Sequence, residues 1–200
     1  MLHSPHPMKN ILRRLTLTIV ALGLLVSARA ATETYVIDSV HSSVGFGIRH
    51  FFSKVSGSFT KFAGNIVVDQ ANLENSSVEA TIEIGSVNTA NEKRDNHLRS
   101  PDFFDAAKFP TITFKSRSWK KTGEDTYDVT GDLTLKGVTK EVVLKVKSLG
   151  FGPGMQPGSK LSGWEASTTL KRADFGVTGF EKVLGADVDV HINVEAGVKG

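Results

Sequence analysis

The chain has 200 residues, 24 Lys and Arg against 21 Asp and Glu, 12 Phe and no Cys. Its 40% apolar and 22% charged content fits one globular domain and excludes collagen-like, coiled-coil and wholly disordered classes. The missing Cys excludes disulfide scaffolds, Cys-ligated zinc, iron–sulfur clusters and a Cys nucleophile, while a pI near 9.1 raises nucleic acid as a partner.

The basic pI traces to the first thirty residues. They carry Lys9, Arg13, Arg14 and Arg29 and no acid. An uncharged run follows from Leu15 to Val26, and then Ala28-Arg29-Ala30. A basic start, a short apolar run and an A-x-A site make a secretory signal peptide, cleaved after Ala30. The run is shorter than the roughly 17–25 residues of a membrane span. Met8-Lys9 offers a more compact start than Met1. No Cys follows the run for lipid attachment, and Arg13-Arg14 abuts it too closely for the usual twin-arginine pattern. Without the leader, 20 basic and 21 acidic residues remain, a charge of −1. Nucleic acid then loses its electrostatic support. The expected location is the periplasm.

Period-two alternation dominates the remaining chain. Val44, Phe46, Ile48 and His50 share one face over 41–50, and Val78, Ala80, Ile82 and Ile84 share one face over 78–84. Leu133 and Leu135 continue the apolar side of 127–135, Leu144 that of 142–146, and Val190 and Ile192 that of 188–196. One apolar and one wet face per strand marks an antiparallel sheet. Gly57 and Gly64 within 55–69 suggest bends in one long strand. Lys136-Gly137 and 122–125 are expected hairpin turns, and 150–158 an exposed loop. Polar 90–99 and the stretch 101–106, with Ser100 as a cap before Pro101, predict two short helices or turns. Eight or nine such strands leave barrel and sandwich equally open.

Nothing in the chain matches a P-loop, G-x-S-x-G, H-E-x-x-H or G-x-G-x-x-G motif. Asn75-Ser76-Ser77 fits a glycosylation pattern of the kind that chance supplies. His41, His50, His97 and His191 offer no local pair for a metal, and none is expected. His191 falls on a wet face. The acids Glu92, Asp95, Asp102 and Asp105, interleaved with Lys93, Arg94 and Arg99, read as a solvated charged segment. Arg172-Ala173-Asp174 reads as an ion-paired strand end. Paired Phe103-Phe104 in a short connector suits a lid over a barrel mouth or a plug in its end.

Several motifs in order resemble one family. They are Asp38 with His41-Ser42, Phe46 with His50, Val55-Ser56-Gly57-Ser58-Phe59, Thr89, Arg94-Asp95 with His97-Leu98, and Asp102-Phe103-Phe104-Asp105. Pro110-Thr111-Ile112-Thr113-Phe114, the run Gly131–Lys140 and Arg172-Ala173-Asp174-Phe175-Gly176 complete the set. From Tyr35 to Ala196 the chain resembles the YceI-like family, exported lipocalin-like proteins described as polyisoprenoid-binding. Glu141 stands where that family often has Pro, and Lys171 where it often has Asn.

The resemblance implies an all-β, eight-stranded antiparallel lipocalin-like barrel with a short helical segment, enclosing a cavity for a long-chain amphiphile. The expected function is a carrier for an isoprenoid-like lipid, with no other cofactor. Strand parity and position then name the tail contacts Phe46, Ile48, Phe59, Ile82, Ile84, Ile112, Phe114, Leu133, Leu135, Trp164 and Leu170. The connector adds Phe103 and Phe104, and His50, Arg94 and His97 are the head-group candidates. The oligomeric state stays open between monomer and homodimer. One alternative is an enzyme using His50, His97 and Asp95 as an acid–base cluster. Another is an interaction module with a dry, filled interior.

Overall fold

The computed structural model describes Met1 and residues 32–198; the rest of the expected leader lies outside the described residues. Eleven strands form one sheet: β1 (Glu33–Ile37), β2 (Ser43–His50), β3 (Ser53–Phe59), β4 (Phe62–Val68), β5 (Ser77–Glu83), β6 (Val87–Asn88), β7 (Thr111–Lys121), β8 (Thr126–Leu135), β9 (Val138–Pro153), β10 (Lys160–Lys171) and β11 (Leu184–Val198). Among the described residues, one α-helix, α1 (Glu92–Arg99), lies between β6 and β7.

All pairings are antiparallel. The ring runs β1-β4-β5-β7-β8-β9-β10-β11, and β1 pairs with β11 to close it. Both β1 and β2 lie along β11, so they form one staff broken at 38–42. In the same way β3 and β4 form one staff broken at Thr60-Lys61. The architecture is therefore an eight-stranded closed barrel. Closure removes the exposed sheet edges that a sandwich would leave.

The outer face carries cross-strand charge pairs. Glu79 sits opposite Lys115 in the ladder, and their charged atoms are 2.6 Å apart. Arg117 reaches Asp132 at 2.7 Å, and Lys145 reaches Asp128 at 2.8 Å. Residues of opposite parity face the interior. Lys136 (φ 50°) and Gly137 (φ 76°) form the two-residue turn between β8 and β9. That conformation matches the twist of the flanking strands.

Four local expectations change. The loop read over 150–158 begins later, because β9 continues to Pro153 and pairs with β10 across a register shift at Gly163/Trp164. Gly57 and Gly64 lie within strands; the break falls at Thr60-Lys61. A Cβ on Gly57 would lie 2.5 Å from Phe46 Cζ, so the glycine serves close packing. The second short helix resolves as turns, and Ser100 caps the end of α1 by donating its N–H to His97 O. Arg172 is buried and has no carboxylate partner among the described residues. Its guanidinium donates to the carbonyls of Gly185, Val177 and Gly179, at 2.9, 2.8 and 2.8 Å.

Candidate lipid-binding cavity

The barrel is hollow. Its interior holds a cavity of about 660 Å³, within the usual range for small-molecule sites. Phe46, Ile48, Ile82, Phe114, Leu133 and Leu170 face inward yet keep accessible surface, because they border open space rather than other side chains. This differs from the filled interior expected of a pure interaction module.

Aromatic packing closes one end. Trp119 meets Trp164 edge-on at 5.5 Å, and Trp164 meets Phe151 at the same distance. Tyr127 and Tyr35 extend the cluster. Trp164 Nε1 donates to Ser162 Oγ at 3.0 Å. Trp119 Nε1 is buried without a hydrogen-bond partner among the described residues.

The polar lining gathers at the other end, at His50, Ser53, Thr89, Arg94, His97, Thr168 and Arg172. There α1, the connector 100–110 and the segment 172–183 lie over the barrel. Helix α1 reads Glu-Lys-Arg-Asp-Asn-His-Leu-Arg and has little apolar surface to bury. Polar contacts hold it instead. Asn91 caps its start by accepting from Arg94 N–H at 3.0 Å. Arg99 donates to Gly85 O at 3.0 Å and Val87 O at 3.1 Å. Arg94 Nε donates to Thr89 Oγ1 at 2.7 Å, and its Nη2 to Thr89 O at 2.8 Å. Buried Asp95 in turn accepts from Thr89.

Phe46, Ile48, Phe59, Ile82, Ile112, Phe114, Leu133, Leu135, Trp164 and Leu170 all line the cavity, as do Phe103 and Phe104 of the connector. His50, Arg94 and His97 line its polar end. Ile84 does not line it. Strand β5 ends at Glu83, and a 3-10 turn begins at Ile84, which breaks the parity. Ile84 is fully buried and packs in a cluster with Val87, Phe103 and Phe175.

Sequence reasoning missed Phe180, Val183 and Leu184 at the rim, because no periodicity runs through 176–183. It also missed Val190 and Ile192 as lining residues, although their alternation was visible. The acid–base trio of the enzyme alternative is divided. His97 pairs with Asp102 at 3.0 Å, while Asp95 is engaged by Thr89. Outside the cavity, Asp38, His41 and Glu195 bring ligand-type atoms within 4.8 Å of one another. Sequence spacing could not show this, since Glu195 lies on the last strand. Among the described residues, no helix is long and apolar enough to cross a membrane.

A profile of the YceI-like domain matches residues 35–196. The chain belongs to the YceI-like family. A UPF0312 protein of Azotobacter vinelandii is 42% identical over 188 residues, covering 90% of this chain and 96% of that protein. The crystal structure of the Campylobacter jejuni YCEI protein is 37% identical with a TM-score of 0.70, covering 82% of this chain and 96% of that one. A polyisoprenoid binding domain from Saccharophagus degradans has a TM-score of 0.64 at 17% identity, covering 84% of this chain and all of that one. At that identity the likeness is one of fold. The YceI-like barrel here thus shares its architecture with solved relatives.

Proposed function

We propose that this protein is a non-catalytic carrier that holds a long-chain, isoprenoid-like amphiphilic lipid in its barrel. The carrying observation is the apolar cavity of about 660 Å³, blind at its Trp119–Trp164 end and polar at the other. That polarity gradient suits a tail directed inward and a head near His50, Arg94 and His97. The polyisoprenoid-binding name of the Saccharophagus degradans relative supports the ligand class. The basic start, apolar run and Ala28-Arg29-Ala30 support export, which makes the periplasm the proposed place of action.

Each buried CH₂ contributes about 0.8 kcal/mol, which is roughly fourfold in affinity. Stripped protein titrated with prenyl alcohols of rising length tests the reading. Affinity should climb with each added unit and level off once the cavity is full. Affinity independent of chain length would refute a tail-filled cavity.

A further inference from the structure

Three Phe rings project into solvent at the polar end of the barrel. Phe52 is 99% exposed, Phe51 57% and Phe180 53%. Phe51 and Phe52 form the β2–β3 turn, and Phe180 opens the turn before β11. The two turns are neighbours: Phe51 N–H donates to Val183 O at 3.1 Å, and Leu184 pairs with His50. Both border the cavity, which His50, Ser53, Phe180, Val183 and Leu184 line. Phe180 stacks on buried Phe103 at 5.8 Å, which ties the rim to the lining.

The backbone makes these rings harder to explain as chance. Phe51 has φ 47° and Phe180 φ 58°. Such positions favour Gly or Asn, and a bulky side chain there is strained. Folding alone is better served by other residues at both turns. Exposed Arg49 and Lys182 flank the rings in sequence; of the acids close by, Glu181 adjoins Phe180, Asp102 is paired to His97, and Asp189 is paired to Lys54.

We propose that this rim, Phe51, Phe52 and Phe180 with Arg49 and Lys182, docks on the surface of an anionic lipid bilayer. The inference rests on the carrier reading and says where lipid enters. Aromatic rings settle at the headgroup level and nearby cations meet anionic lipid. A second copy of the chain suits the rim less well. Three rings of about 150–250 Å² each, two of them half covered, fall short of the roughly 800 Å² per partner of a stable interface.

The test uses the Phe52→Trp variant, since that ring has no packing to lose. The native Trp119 and Trp164 line the cavity and respond to lipid that enters it, so the same vesicle series on the parent protein is subtracted to leave the signal of the rim. Emission is read with phosphatidylcholine vesicles, with and without about a third phosphatidylglycerol. The expected result is a blue shift and quenching by brominated acyl chains, stronger on the anionic vesicles and weakened by salt. Adding Phe51→Ser and Phe180→Ser should lower vesicle partitioning at least about tenfold. No shift on either vesicle overturns the proposal, as does a shift that needs only concentrated protein. Organic extraction of the same protein keeps the two ideas apart. Lipid present with no vesicle response sinks docking alone; a vesicle response with no lipid sinks the carrier reading and leaves docking standing.

Discussion

Asp95 Oδ1 accepts two hydrogen bonds from Thr89, the N–H at 2.8 Å and the hydroxyl at 2.5 Å. Both residues are buried, and the Thr89 hydroxyl oxygen also accepts from Arg94 Nε. The chain Asp95–Thr89–Arg94 therefore joins α1 to the barrel rim in place of an apolar helix face.

Removing that carboxylate strands the Thr89 donors inside the protein. Asp95→Ala should cost about 2–3 kcal/mol, with the urea midpoint lowered and the m-value kept. Thr89→Val should cost a comparable amount, and the double variant less than the sum. An Asp95→Ala midpoint equal to the parent's would show that the network is not structural.

Arg172 holds the segment above the barrel by its three carbonyl contacts. Arg172→Ala leaves buried carbonyls unpaired, for roughly 2–4 kcal/mol. Amide exchange should accelerate most over 176–185. Uniform acceleration across the barrel would contradict a local role.

Gly57 leaves room for the Phe46 ring and the Thr89 methyl, which would lie 2.5 and 2.8 Å from an added Cβ. Gly57→Ala should push Phe46 into the cavity and cost about 1–3 kcal/mol. Bulk added where there is free space acts differently. Ala166 lines the cavity, so Ala166→Trp should fold and yet lose capacity for a long chain, measured as bound lipid per protein. Unchanged capacity would place the tail elsewhere.

A pH effect follows from the 38–41 loop. His41 Nδ1 lies 2.8 Å from Asp38 Oδ2, and this bond with its charge raises His41 above its ordinary 6.5. The same bond, with the Val40 N–H, holds Asp38 below 3.8. A raised imidazole stabilises fully below 6.5 and loses that contribution as pH climbs through its folded value. A lowered carboxyl contributes above 3.8 and loses its contribution as pH falls through its folded value. Both groups are exposed, so the effect is small and salt-sensitive. The His41 NMR titration should have its midpoint above 6.5, returning toward it in Asp38→Asn. A parent midpoint at or below 6.5 would contradict the pairing.

Strand alternation made most of the barrel legible, because inward and outward positions differ in polarity at period two. Phe46 and Ile48 on β2 and Leu133 and Leu135 on β8 reach the cavity on that basis. Ile84 fails because a turn ends the strand one residue before it. The rim at Phe180 was invisible because a turn has no period. Strand parity also cannot distinguish a hollow interior from a filled one. That depends on how far apart opposite walls stand, which closure into eight strands decides. Arg172 looked like an ion-pair partner because carbonyl acceptors leave no trace in a sequence.

Native mass spectrometry of the intact protein, purified without detergent and followed by organic extraction, bears most directly on the proposed cargo. One long-chain amphiphile per chain is the expected result, lost in Ala166→Trp. A bare protein mass from repeated preparations, with no long-chain compound in the extract, would contradict a lipid held in this cavity.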